Sequence, residues 1–400
     1  MKRQVAVDQL EFGLYVAELD RPWTETPFVF QGFRLEREEQ LAALRKYCKF
    51  VYVDPERSES AGAPARRGVL ADFHGVGAVK YTDRADIESE LPRARDAFAS
   101  TKQVLNDVFD HLRSDKDFAD TTELKGAIAR VTESVVRNPD ALLLFSFLQE
   151  RGDAMRDRAL KVSLYMIMFA RALGLEQGTI ERAGLVGLLL DIGMMEVPDA
   201  IVNKPGALTS EERALVRKHV TRGAEMVRNA HGLGDEVATA VAMHHERYDG
   251  SGYLKGLRDK SIVLLGAVAG VVDTYCAMTS PRAYAETMSP STVLGLLHRW
   301  RDRAFNGEMV EQFIRCVGIF PVGSVVLLNS GETGIVIAQN QVRRLQPRLM
   351  VVKDAKGNPL RPQKLLDLAK EPKVSPDTPY RIRQTLEFAR AGIGAKDLGL

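Results

Sequence analysis

Between about residues 150 and 318, apolar residues recur at helical spacing almost without interruption, and the breaks fall at turn signals. A stretch patterned this way is expected to fold as a bundle of helices. Two of its apolar runs are marked by a single carboxylate: residues 184–190 close on Asp191, and residues 262–278 are interrupted by Asp273. A carboxylate embedded in an apolar helix is costly unless it is paired or bound to a cation. Taken singly, each aspartate is as readily a structural residue, a helix-end cap or half of a buried ion pair, as a functional one.

The remaining chain divides around this stretch. Residues 1–82 predict a small α/β domain with a loop insertion. Residues 14–19 and 50–53 are β-branched and aromatic runs, residues 36–46 have a helical composition, and Gly, Ser and Pro without a period follow from 55. Residues 83–149 read as a charged helical connecting segment, and 150–318 as the main helical domain. Within it, Thr209 and Glu212 make a capping box that should start the helix carrying His219. Asp249 to Gly252, with two glycines in four residues, should end the helix carrying His244 and His245. After Pro321 the period changes to two, so a short β-module is expected over 319–372, followed by a polar tail over 373–400. The fold class is therefore mainly α, with a small α/β domain before the helices and a β-module after them.

Composition removes several classes of function. Fifty-five Lys and Arg against fifty-three Asp and Glu leave a net charge of +2, so charge alone supports neither a nucleic-acid nor a membrane partner. Three scattered cysteines fit a reducing compartment. The N-terminus lacks a signal-peptide pattern, and the longest apolar run falls short of the ~20 residues of a spanning helix. A cytoplasmic location is expected.

Chemistry concentrates on few residues. Of seven histidines, three in the helical region have suggestive neighbours: His219, His244 and His245. A lone helical His is most often structural. An adjacent pair followed by Glu246 and a glycine-rich loop is more specific. With Asp191 and Asp273 they form a nitrogen and oxygen ligand set that iron, manganese or zinc accepts.

Order and spacing then resemble a known family. Leu190-Asp191-Ile192-Gly193-Met194, Lys204-Pro205-Gly206-Ala207-Leu208-Thr209, residues 211–219 ending in His219, residues 244–253 (HHERYDGSGY) and residues 273–284 are similar to the segments of HD-GYP domains. These are metal-dependent phosphohydrolases of the HD type, whose usual activity is hydrolysis of cyclic di-GMP. The resemblance runs from about 150 to 320. The opening, residues 7–16 with Pro22-Trp23 and residues 30–33, resembles the uncharacterised domain that often precedes them. It implies an HD-type helical bundle with metal ligands at Asp191, His219, His244, His245 and Asp273. It also implies a phosphate contact at Arg282, a motif loop at Asp249, Gly250, Gly252 and Tyr253, and contacts with diguanylate cyclase domains or other signalling proteins.

The departures are as specific as the match. Leu190 stands where the family has the histidine of its His-Asp pair, Arg158 where another ligand histidine is expected, and Ala154 where a glutamate is. Met194 and Ala285 replace lysines, and Leu254 replaces the proline of Gly-Tyr-Pro. Leucine has no lone pair to offer, and a guanidinium repels a divalent cation. The expectation is one divalent ion (Fe, Mn or Zn) on Asp191, His219, His244 and His245, with the second and third sites absent. Arg158 would supply a fixed positive charge in place of a metal. The expected function is a regulatory or binding module of cyclic di-GMP signalling with weak or no nucleotide binding and lost or impaired hydrolysis. The alternative is an active metal-dependent phosphodiesterase with a reduced site.

Overall fold

A computed structural model describes residues 2–21, 26, 28, 32–36, 38–58, 70, 73–115, 121–148, 153–280, 287–340 and 343–386. At the N-terminus, strands β1 (Arg3–Ala6), β2 (Tyr15–Leu19), β3 (Phe33–Arg34) and β4 (Phe50–Asp54) make an antiparallel sheet in the order β1-β4-β2-β3. Val5, Val16, Leu19, Val51 and Val53 bury one face of it in a core shared with Leu41 and Leu44 of helix α1 (Glu38–Tyr47). The period-two burial of β4 is the pattern a half-covered sheet requires.

Helices α2 (Ile87–Asp115), α3 (Thr122–Arg137) and α4 (Pro139–Leu148) do more than connect. Their apolar faces share one core with α5 (Ala154–Ala172), α6 (Gln177–Leu189) and the helices beyond. Glu90 of α2, fully buried, is held by Arg137 Nε (2.8 Å) and Nη2 (2.9 Å) and by Ser134 Oγ (2.8 Å). Such a charge is tolerable inside only because the fork of donors satisfies it. On α6, Gly187 lets the backbone of Ser163 on α5 approach so closely that a Cβ would sit 2.7 Å from its Cα. Ser163 Oγ closes the contact by donating to the Gly184 carbonyl at 2.8 Å.

A 3-10 turn (Ile192–Glu196) and α7 (Asp199–Val202) lead into α8 (Ser210–Asn229). Thr209 and Glu212 form the reciprocal capping box that starts α8, and Lys204 Nζ adds a bond to Glu212 at 2.7 Å. Helices α9 (Asp235–Met243), α10 (Leu264–Met278), α11 (Pro290–Arg299) and α12 (Gly307–Val317) complete the bundle. The chain is thus mainly α, with the helical bundle lying in sequence between an N-terminal sheet and C-terminal strands. Among the described residues, no helix is long and apolar enough to cross a membrane.

After Pro321 the chain forms β5 (Val325–Leu328), β6 (Thr333–Ala338), β7 (Arg348–Lys353) and β8 (Pro359–Asp367). The segment expected as a polar tail departs from that expectation. It continues as β9 (Lys373–Ser375), β10 (Thr378–Pro379) and β11 (Ile382–Leu386), and β11 pairs with β5 to give the sheet order β11-β5-β6-β7-β8. Backbone pairing holds it in place, helped by its two half-buried end residues, Ile382 and Leu386, which pack against the apolar clusters of the sheet. Residues 387–400 lie outside the described part. Asp140 of α4 fastens the module to the bundle by accepting the Gln339 N–H at 2.9 Å.

Candidate metal centre

Three histidines from two segments meet at one point. His219 lies on α8, while His244 and His245 occupy the turn immediately after α9 rather than the helix itself. The Nδ1 atoms of His219 and His244 each stand 2.6 Å from a backbone carbonyl, of Val216 and Val241 respectively. A carbonyl only accepts, so Nδ1 carries the proton in both rings and Nε2 keeps its lone pair. Those two Nε2 atoms are 3.3 Å apart. Asp191 Oδ1 lies 3.4 Å from the first and 4.0 Å from the second. Ligand atoms of all three histidines fall within 4.8 Å of one another. Lone pairs converging at this distance repel unless a cation sits among them, and this donor set suits a divalent metal. Burial disfavours the charged form of His244 and His245, lowering the pKa of both and keeping them in the neutral state that ligates metal.

Asp191 reaches this point because of two glycines. It follows α6 and opens the 192–196 turn, which packs on α8 where Gly193 meets Gly223. A Cβ on Gly193 would lie 2.1 Å from the His219 carbonyl oxygen and 2.6 Å from Gly223 N, both rigid backbone atoms. Gly193→Ala should therefore push the turn away from α8, separating Asp191 from His219. The expected result is a loss of ~1–3 kcal/mol of stability, the usual cost of overpacking, together with reduced metal uptake. A variant with wild-type melting and wild-type ion content would show that the close approach is not required.

The other carboxylate is engaged elsewhere. Asp273 of α10, almost fully buried, pairs with Arg158 of α5, whose Nη2 donates to Asp273 Oδ1. Arg158 Nη1 lies 3.2 Å from Asp191 Oδ2, so one guanidinium spans both aspartates. Burial alone would raise the pKa of Asp273. Arg158 outweighs it and holds the carboxyl well below the usual range. Asp273 thus faces a fixed cation, and it also interacts electrostatically with His244 and His245. Leu190 is buried in the core, Ala154 begins α5, and Met194 lies in the 3-10 turn. Arg282 and Ala285 fall outside the described residues.

The motif loop is tied to the histidines from behind. Glu246, 4% exposed, accepts the Lys255 and Leu257 N–H groups at 2.7 and 2.9 Å. Asp249 Oδ1 accepts the Ser251 N–H at 2.9 Å. Gly250 has φ +79°, and Gly252 packs so tightly that a Cβ would lie 2.4 Å from Arg247 N. Tyr253 donates its N–H to the His245 carbonyl at 3.2 Å and stacks its ring on that imidazole. The next residue, Leu254, adopts φ +123° and stays 42% exposed. Sequence reasoning missed the clamp by Glu246, although a carboxylate directly after two histidines was a usable signal. It also missed Arg217, whose guanidinium lies 4.7 Å over the Tyr253 ring.

Comparison with known proteins follows the same divisions. Residues 2–121 match a domain of unknown function (DUF3391), residues 143–309 an HD domain, and residues 325–380 a KOW domain associated with HD domains. The cyclic di-GMP phosphodiesterase PA4108 of Pseudomonas aeruginosa is 32% identical over 92% of this chain and 90% of its own. The cyclic di-GMP phosphodiesterase response regulator RpfG of Xanthomonas campestris pv. campestris is 32% identical over 37% of this chain and 39% of its own length. A cyclic di-GMP phosphodiesterase of Thermotoga maritima is 31% identical over 36% and 40%. The chain thus spans about two fifths of these last two relatives.

Proposed function

Because this chain belongs to the HD-GYP family of HD-domain proteins, we propose that it is a cyclic di-GMP signalling protein whose hydrolysis is lost or strongly impaired, and that it acts as a regulatory or binding module. The observation that carries the reading is the Arg158 guanidinium lying against both Asp191 and Asp273. A second divalent ion would need those two carboxylates, and it would meet a permanent positive charge already paired with them. Leu190 offers no replacement ligand.

One ion, of iron, manganese or zinc, would be held by His219, His244, His245 and Asp191. When bound it would polarise a phosphoryl oxygen as a Lewis acid. The chain's own residues keep the site ready by fixing the tautomers of His219 and His244 and by excluding water from both rings. Cyclic di-GMP binding would be weak, since Met194 contributes no charge where the family places a lysine. The exposed Leu254 leaves an apolar tip for a signalling partner such as a diguanylate cyclase domain.

The test is turnover of cyclic di-GMP by purified protein with added manganese or iron, beside an intact relative. Turnover should be absent or orders of magnitude lower than the relative's. A rate near ~1 per second, ordinary for an enzyme, would favour the reduced-site phosphodiesterase instead. Metal analysis should find no more than one tightly bound ion per chain, and two would overturn the reading.

A further inference from the structure

We propose that Arg217 and Tyr253 form a stack that orients His245, making both of them positioning residues for the metal centre; the inference rests on reading the histidine cluster as a one-ion site. A metal-binding histidine ordinarily has its ring fixed by a hydrogen bond from its second nitrogen. His219 and His244 follow that rule through Val216 and Val241. The His245 ring has no hydrogen-bond partner among the described residues, so something else must set its rotation.

Ring contacts do so. Tyr253 lies on His245 with centroids 4.6 Å apart and planes 25° from parallel. His244 is 4.1 Å away and tilted by 43°, and His219 meets the ring edge-on at 5.3 Å and 89°. Tyr253 cannot drift, because its N–H is bonded to the His245 carbonyl and Glu246 clamps the loop two and four residues further on. Arg217, over the tyrosine ring at 4.7 Å, comes from α8, two residues before His219. The stack therefore links the rotation of His245 to the helix that supplies another ligand, and a cation over an electron-rich ring face holds that link.

Two measurements test this, one of them independent of metal. In chelator-treated protein with labelled histidine, the His245 ring resonances, assigned with His245→Gln, should carry a ring-current displacement. Tyr253→Leu should reduce it to the part owed to His244 and His219, while Tyr253→Phe and Arg217→Lys should keep it whole. Manganese affinity should then fall ~10–100-fold in Tyr253→Leu, the range for losing a ligand's supporting partner. In Arg217→Ala it should fall ~2–5-fold, as expected for an exposed cation–π contact, and Arg217→Lys should restore it. Unchanged resonances in Tyr253→Leu would overturn the stack. Collapsed resonances with unchanged manganese affinity would overturn its role toward the metal. If wild-type protein takes up none of manganese, iron and zinc, the one-ion reading itself fails, and the resonances still report separately on the stack.

Discussion

Arg158→Ala should lower the stability of the helical bundle by ~3–5 kcal/mol, the cost of removing one partner from a buried ion pair. At roughly two to four degrees per kcal/mol for a unit of this size, that is a fall in Tm of about 6–20 °C. The reason is electrostatic crowding. Arg158 joins α5 to α10 through Asp273 and to the turn after α6 through Asp191. Without it, a carboxylate on α10 is left buried without the cation that hydrogen-bonds to it.

The pH dependence has a definite sign. In the wild type, Arg158 overcomes burial and holds Asp273 below its ordinary range. That stabilisation is present above the unfolded carboxylate value of about 4 and is lost as pH falls through it toward the folded value. In the variant burial, the largest influence on Asp273, is no longer offset by Arg158, so the folded value rises and leaves a penalty that is greatest at neutral pH. The gap between wild type and variant should therefore narrow from pH 7 toward about pH 4. Denaturant melts at both ends of that interval check it. An unchanged Tm, or a gap that widens on acidification, would show that Arg158 does not carry the load assigned to it.

Legibility in the sequence followed how local each cause was. The helical bundle was readable because its apolar spacing is intrinsic to the helices, and the capping box at Thr209 because both partners lie within one turn. His219, His244, His245 and Asp191 could be named from motif order, and they converge in space. Arg217 was not readable, since an exposed arginine on a polar helix face looks like any solvated cation until Tyr253, thirty-six residues later, lies beneath it. Gly193 was equally silent, because only the neighbouring helix shows what its missing side chain permits. Strand β11 escaped because its apolar residues, Ile382 and Leu386, stand four apart with Arg383, Gln384 and Thr385 between them, without the alternation that reveals a half-buried strand. In each case the missing information was a contact distant in sequence.

The same placement of Arg158 predicts what returns when it is undone. Arg158→His alone removes the repelling cation but leaves the second position with one nitrogen and two carboxylates. Leu190→His alone adds a nitrogen beside Asp191 while the guanidinium still spans both aspartates. Only the double variant combines two imidazoles with Asp191 and Asp273, a donor set suited to a second divalent ion. Ion content should rise from one to two per chain in the double variant and in neither single one. Leu190 is 1% exposed, so a histidine there leaves apolar packing and costs ~1–3 kcal/mol if its polar atoms find no partner. Melting curves with and without manganese separate that cost from a failure to bind, because an ion held only by the folded state raises Tm. Turnover of cyclic di-GMP should recover only in part, because Met194 still supplies no cation for the phosphate. Adding Met194→Lys to the double variant should then raise turnover further without changing the ion count. A double variant that folds, stays at one ion and shows no manganese-dependent rise in Tm would mean that something other than Arg158 and Leu190 closes the second site.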